Sequence, residues 1–354
     1  VWVIAAEGGD ILGPAAPRAA SLPIRRSTGE LPSRVADDLY WLGRYLERLE
    51  GSARLMRAAL ARQLRGATLP RELAELRALA RCLHGAGLLS REAAASPADG
   101  ATLPRALLAV AGPNGAFPAL IDSLERPQAA VRDRLTHDMS AAFAQLASDT
   151  RARLAAATAP DALMEAMSGL IRGCLGLAGF AAENMVRGGA WMFLDLGRRV
   201  ERAAATARSL GEVLGEPAAR IEAGLRLALE ICDSVMTYRA RYLAAVQPAP
   251  VLDLVLADSA NPRSLLFQLE AVVERLTEIG GHEDRLTAMA ERLAARPVTL
   301  VDSVTVAPSP EVAASELPDA LFTLEGEIAA LSDAVSRRYV SHVQAVALGE
   351  EARP

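Results

Sequence analysis

From Leu31 onward the apolar residues of this chain recur at steps of three and four, which is the period of one face of an α-helix. Leu39, Leu42, Leu46, Leu49 and Ala53 give the first such run. Pro32-Ser33 reads as its start, with Ser33 as N-cap, Asp37 and Asp38 in the early turns, and an end near Arg65. Further helices are expected at about 70–86, 103–110, 127–157, 160–187, 189–214, 217–246, 263–278, 282–294 and 316–347, with prolines at or near the breaks. Residues 297–310, β-branched and bounded by prolines, read as an extended connection. No strand signal alternates with the helices, which argues against a dinucleotide-binding domain after residue 30. Aromatic residues are only 4% of the chain, and Ala, Leu, Arg and Glu dominate, again favouring helices over sheets. The expected fold is all-α, a multi-helix bundle of two related halves with a short non-helical N-terminal segment.

The two halves come from an internal repeat. Leu42–Arg54 reads LGRYLERLEGSAR and Leu196–Arg208 reads LGRRVERAAATAR, with seven of thirteen positions identical and a spacing of 154 residues. That spacing is far beyond the 20–50 residues or so of a solenoid unit. Ala and Arg are common here, so the informative matches are Gly43 with Gly197 and Glu47 with Glu201. On a helical wheel Arg44, Glu47 and Arg48 fall opposite the leucines, as do Arg198, Glu201 and Arg202 in the second copy. One reading is a solvated face whose Arg–Glu pairs contribute about 0.2–0.5 kcal/mol each. The other is that the two faces meet. A mid-helix glycine costs about 0.5–1 kcal/mol, and its recurrence at one register suggests a close neighbour. Two Glu and four Arg brought together would form a positive site, and arginine forks bind carboxylate or phosphate bidentately.

A second polar and aromatic cluster spans 233–268. It holds Tyr238, Arg239, Arg241 and Tyr242, then Asp253, then Asn261-Pro262-Arg263-Ser264. Its bland reading is a Tyr–Arg ridge followed by a helix start with Asn261 as N-cap and Pro262 in the first turn.

Composition removes several function classes. All 38 basic residues are arginine, so no P-loop lysine or Schiff-base lysine exists. A net charge of −5 argues against nucleic-acid binding. Cys82, Cys174 and Cys232 are odd in number and far apart, and the four histidines are scattered. Neither a metal site nor a disulfide framework is readable, and a reducing, cytoplasmic setting is the expectation. No GxSxG serine elbow occurs. No uncharged apolar run reaches the ~20 residues of a membrane span, Leu175–Ala182 being too short. The chain lacks an initiator Met. Val1-Trp2-Val3-Ile4 reads as a strand, so residues 1–30 are expected to be the tail of a preceding domain plus linker, 31–347 the helical domain and 348–354 a tail.

Several separated motifs now combine. Leu31–Arg48 (LPSRVADDLYWLGRYLER), Glu183-Asn184-Met185, Phe193–Arg202 (FLDLGRRVER), Tyr238–Tyr242 (YRARY), Val251-Leu252-Asp253-Leu254 and Asn261–Ser264 with Gln268 occur in an order that resembles the alpha-E family, a bacterial all-helical domain named for its Glu-Arg motif. The resemblance covers about 31–347 and implies a partner. Members are commonly fused to, or encoded beside, a circularly permuted ATP-grasp amidoligase, with transglutaminase-like and proteasome-related peptidase genes nearby. It implies a role in ATP-dependent peptide or amide bond formation, with ATP and Mg²⁺ bound by the ATP-grasp domain and no cofactor held by this one. The positions carried over are Arg44, Arg48, Asp195, Arg198, Arg202, Tyr238, Arg239, Arg241, Asp253, Asn261 and Arg263 for the substrate anion. Glu47 and Glu201 would orient an arginine or accept a proton. Two other functions stay open: a non-catalytic scaffold that docks or dimerises the ligase, and a stand-alone acyl transferase or hydrolase.

Overall fold

Ser33–Arg65 forms one 33-residue helix, α1, whose leucines at 39, 42, 46, 49, 55 and 60 are all buried. The structure is a computed structural model that describes residues 31–66, 69–95, 102–243 and 245–340. After α1 come α2 (Pro70–Gly85), α3 (Arg91–Ala95), α4 (Thr102–Ala109), α5 (Ala116–Ala130), α6 (His137–Ala156), α7 (Pro160–Asn184) and α8 (Gly189–Leu214). The chain continues through α9 (Ile221–Ile231), α10 (Val235–Tyr242), α11 (Pro248–Leu252) with a π-turn at Asp253–Ala257, α12 (Leu265–Gly280), α13 (Arg285–Ala294), α14 (Arg296–Thr305), α15 (Pro310–Ser315) and α16 (Pro318–Val340). The fold is all-α, and there is no strand among the described residues.

Two helices organise the rest. α1 and α8, which carry the two copies of the repeat, pack on each other more extensively than any other pair. α5 and α7 cover α1, α12 and α16 cover α8, and α2 touches both. This follows from sequence: both central helices carry apolar residues on more than one stripe, so each is buried on several sides. α7 contains an 18-residue window of mean hydropathy 1.2, enough by length and composition to cross a membrane. Here its buried side, including Leu163, Met167, Leu170 and Cys174, packs on α1 and α6.

The structure corrects several boundaries. Residues 297–310 are not extended, because 296–305 form α14. Pro297 sits in its first turn, where the missing N–H costs nothing, and Val301 and Val304 bury one face. Packing overrides the β-branched preference. Pro127 does not open a helix but lies in the last turn of α5, and α6 begins only at His137. The span 217–246 is broken at Asp233, whose φ of 51° is left-handed. Ser33 does not cap α1, since Pro32 holds the N-cap position. Asn261 is not the N-cap of α12; Ser264 is, its hydroxyl accepting from the Phe267 N–H at 3.1 Å. The expected strand at 1–4, the linker and the tail lie outside the described residues.

Candidate functional site

The central crossing is made by the two repeat glycines. A β-carbon on Gly43 would fall 2.1 Å from the Leu194 carbonyl oxygen and 3.0 Å from the Arg198 nitrogen. One on Gly197 would fall 2.0 Å from the Tyr40 carbonyl oxygen and 3.2 Å from the Arg44 nitrogen. Leu194 precedes Gly197 by three residues, and Tyr40 precedes Gly43 by three. The contact is therefore reciprocal, as a two-fold axis through the crossing requires.

One turn further on, the Glu-Arg motifs exchange partners across that axis. Glu201 accepts from Arg44 Nε at 2.8 Å, Arg48 Nε at 2.7 Å and Arg48 Nη2 at 3.0 Å. Glu47 accepts from Arg198 Nε at 2.9 Å, Arg202 Nε at 2.8 Å and Arg202 Nη2 at 2.8 Å. Glu47 is 5% exposed and Glu201 4%, so the two faces meet and the solvated-face reading is excluded. Burial alone would raise the Glu47 carboxyl. Arg202 and Arg198, by charge and hydrogen bond, more than reverse this and hold it down at about 2. Glu201 is likewise lowered against its burial by Arg48 and Arg44. Carboxylates held this way are weak proton acceptors, and of the two roles expected for them the geometry favours orienting the arginines. Arg44 is fixed further by Ser332, whose Oγ accepts from its Nη1 at 2.6 Å and from the Tyr40 hydroxyl at 2.8 Å.

Past this lattice α1 and α8 leave a cleft of about 320 Å³ between them. Its lining includes six equivalent pairs: Glu47 with Glu201, Arg48 with Arg202, Gly51 with Ala205, Ser52 with Thr206, Arg54 with Arg208 and Leu55 with Ser209; Glu50, Cys82 and Cys232 line it without a counterpart. Every pair has the 154-residue offset of the repeat. Arg263, from the loop before α12, enters the same cleft and donates to Glu50 at 2.8 Å. Five arginines face three glutamates in the lining. The Arg263 guanidinium is pushed below its ordinary value by burial and by the neighbouring charge of Arg202, a sign of crowded positive charge. A β-carbon at Gly51 would meet nothing within 4 Å among the described residues, and this helical glycine lines the cleft.

The remaining expected residues divide. Asp195 belongs to the lattice but lies on the far side of the crossing, near Arg199 at 3.2 Å, Arg275 at 3.4 Å and Arg198 at 3.8 Å. Tyr238 is a buried strut whose hydroxyl donates to the Ala245 carbonyl and accepts from the Gln247 N–H. Tyr238 and Arg239 line a separate cleft of about 380 Å³ with Arg62, Arg65 and Arg71. Arg241 pairs with Asp258 at 2.5 Å on the surface. Asp253 is raised by partial burial and by Asp258, away from the central cleft. Asn261 holds the loop, donating to Ser234 Oγ at 3.0 Å and the Leu254 carbonyl at 2.8 Å. Thus Arg44, Asp195 and Arg198 belong to the lattice but do not line the α1–α8 cleft, and Tyr238, Arg239, Arg241, Asp253 and Asn261 are not brought to it. Glu50, Arg54 and Arg208 are, and sequence reading missed them. Arg54 and Arg208 had a signal, being the last matched pair of the repeat. Glu50 had none beyond lying one turn after Glu47.

Cys82, Cys174 and Cys232 are buried and free. Among the described residues no group of His, Cys, Asp and Glu is placed to hold a metal.

The fold and site define a class: an all-helical domain whose two halves clasp through exchanged Glu-Arg pairs. The chain belongs to the Alpha-E family, described as "a predicted alpha-helical domain with a conserved ER motif", which matches residues 31–340. Uncharacterized proteins of Mycobacterium tuberculosis and Mycobacterium bovis are each 29% identical over 268 residues, covering 70% of this chain and 30% of their own length. The chain therefore spans under a third of those relatives. No solved structure matches.

Proposed function

We propose that this domain works with a circularly permuted ATP-grasp amide ligase and binds the anionic end of its substrate in the α1–α8 cleft. The single observation behind this reading is the cleft itself, where five arginines face three glutamates on the axis of the repeat. The partner would bind ATP and Mg²⁺ and transfer the γ-phosphate to a carboxylate, giving an acyl phosphate and ADP. An amine then attacks the carbonyl, and phosphate leaves as the amide forms. The arginines would hold the carboxylate, acyl phosphate or peptide end, and Glu47 and Glu201 would hold the arginines. That the matched relatives are much longer than this segment supports a fused or multi-domain setting. Transglutaminase-like and peptidase steps would lie in the same pathway, and a ligase that uses ATP would place the domain in the cytoplasm.

One observation favours a scaffold instead: Arg44, Arg48, Arg198 and Arg202 all have a glutamate partner already. A stand-alone transferase has less support, because burial first of all pushes the Cys82 and Cys232 thiols up to about 12.

The test is a ligase assay with the ATP-grasp partner, ATP, Mg²⁺ and pooled amino acids. It is run without this domain, with it, and with its Arg48→Ala and Gly51→Met forms. Phosphate release and a new amide by mass spectrometry are the readouts. Product that requires the wild-type domain and is lost when Gly51→Met fills the cleft is the expected result. Equal product in all arms refutes the cleft's role and leaves the scaffold.

A further inference from the structure

The cleft repeats its hydrogen-bond donors across the axis. Arg48 uses Nε and Nη2 on Glu201, and Arg202 uses Nε and Nη2 on Glu47 with Nη2 also reaching Glu50, leaving each Nη1 without an acceptor among the described residues. Arg54 and Arg208 each use Nε on a glutamate (Glu50 and Glu325) and Nη1 on a second oxygen, leaving Nη2. None of these spare nitrogens is a buried unsatisfied atom, so all four reach solvent. Ser52 is 3% exposed and Thr206 8%. Both line the cleft, and neither hydroxyl has a partner among the described residues. Each half therefore contributes two guanidinium groups with a spare nitrogen and one unengaged hydroxyl to the lining. Carboxylates behind the arginines fix their direction at no further ordering cost to a ligand.

We infer that the cleft takes a small ligand with two oxyanion groups, one for each half of the repeat, bridged by a short spacer across the axis. This rests on the cleft binding anions at all, as proposed above, and adds that it binds them in pairs. Exposure points the same way. Glu47 and Glu201, at 5% and 4% exposed, are covered more deeply than Arg48 and Arg202, whose side chains are 33% and 14% exposed, so the charge each half turns toward a ligand is guanidinium. At about 320 Å³ the cleft has room for such a ligand, at the small end of ligand pockets. Dicarboxylates and diphosphates share this chemistry, and the assay separates them.

The experiment is calorimetric titration of the full chain with acetate, inorganic phosphate, malonate, succinate, glutarate and pyrophosphate. Wild type, Arg54→Gln, Arg208→Gln and Gly51→Met are compared after circular dichroism confirms folding. At least one bis-anion should bind about tenfold or more tighter than acetate and phosphate, since the second contact is intramolecular. Arg54→Gln and Arg208→Gln should each reduce that ligand to near the single-anion level. A dicarboxylate as the tightest ligand identifies two carboxylates, and pyrophosphate as the tightest identifies two phosphates. Single anions that bind as tightly as every bis-anion, with loss in Gly51→Met, overturn the two-point inference and keep the anion cleft. No binding by any probe overturns both. Should an arginine variant fail to fold, Gly51→Met with the wild-type ligand series still decides between these outcomes.

Discussion

Replacing Gly43 by Ala should unfold the crossing that the whole site depends on. The new β-carbon would lie 2.1 Å from the Leu194 oxygen, and ordinary contact begins at 3.4 Å, so α1 and α8 must part by about 1.3 Å. The partner atom is backbone of a packed helix and has no rotamer to yield. Overpacking of this kind costs about 1–3 kcal/mol. The same displacement stretches the Arg48–Glu201 and Arg202–Glu47 bonds, now 2.7–2.8 Å, to about 4 Å, beyond hydrogen-bond range. Loosening buried pairs adds to the loss, since an uncompensated buried charge costs about 3–5 kcal/mol. Against this, alanine gains about 0.5–1 kcal/mol of helix propensity. The net expectation is a loss of about 3 kcal/mol, a large part of a typical domain's 5–15 kcal/mol or so. Urea unfolding followed by far-ultraviolet circular dichroism measures it. Gly51→Ala on the same helix is the control: its β-carbon meets nothing within 4 Å among the described residues, so it should gain about 0.5–1 kcal/mol. Gly197→Ala should match Gly43→Ala, and the double variant should cost less than the sum, because the helices part only once. Equal, stabilising shifts for Gly43→Ala and Gly51→Ala would refute the close-approach explanation.

Other expectations follow from the lattice. Glu47→Gln leaves Arg198 and Arg202 facing a neutral amide and should destabilise by about 3–5 kcal/mol, with Glu201→Gln similar; urea midpoints at pH 7 check both. The Glu47 carboxyl is depressed from 4.5 to about 2 on folding. Its contribution, on the order of 3 kcal/mol, is therefore present above pH 4.5 and lost as pH falls toward 2. A pH series of urea midpoints should show this drop in wild type and a smaller one in Glu47→Gln. The Cys82 and Cys232 thiols, pushed up to about 12 by burial, should resist Ellman's reagent at pH 8 in the native protein and react once it is unfolded in guanidinium.

The helical class was legible because period alone carries it, and α8 falls where its apolar run and flanking Gly188-Gly189 place it. The repeat made the central contact legible in outline: matched mid-helix glycines have few uses besides close approach. What the sequence concealed depends on third partners. Asp195, Arg239 and Arg263 look alike as polar residues in motif positions, yet only Arg263 reaches the cleft, through a loop that Asn261 holds by two donated bonds. Glu50 is ordinary in sequence and central in space, because Arg54, Arg202 and Arg263 converge on it from three segments. The helix α14 was hidden for a different reason. Its valines favour strands locally, and only the buried positions at Val301 and Val304 settle the matter.

The direction of pairing is informative about the motif. Arg44 stands three residues before Glu47 on its own helix, a spacing that permits an intrahelical pair, yet it bonds Glu201. Arg198 likewise bonds Glu47 rather than Glu201. An intrahelical pair would contribute only about 0.2–0.5 kcal/mol on an exposed face and would specify nothing. Exchange makes each half's charges depend on the other, so that only one crossing and one register satisfy both glutamates. Buried ion pairs seldom surpass a hydrophobic contact of the same volume in net stability. Replacing Arg44, Glu47, Arg198 and Glu201 together by apolar residues of similar size removes two guanidinium groups along with the carboxylates and leaves Arg48 and Arg202 as the ones short of a partner, so by urea unfolding it should cost less than Glu47→Gln and Glu201→Gln summed. It should nevertheless weaken anion binding in the calorimeter, because Arg48 and Arg202 would lose the carboxylates that aim them. Retained affinity in that variant would mean that the cleft arginines orient themselves and that the exchanged glutamates serve packing alone.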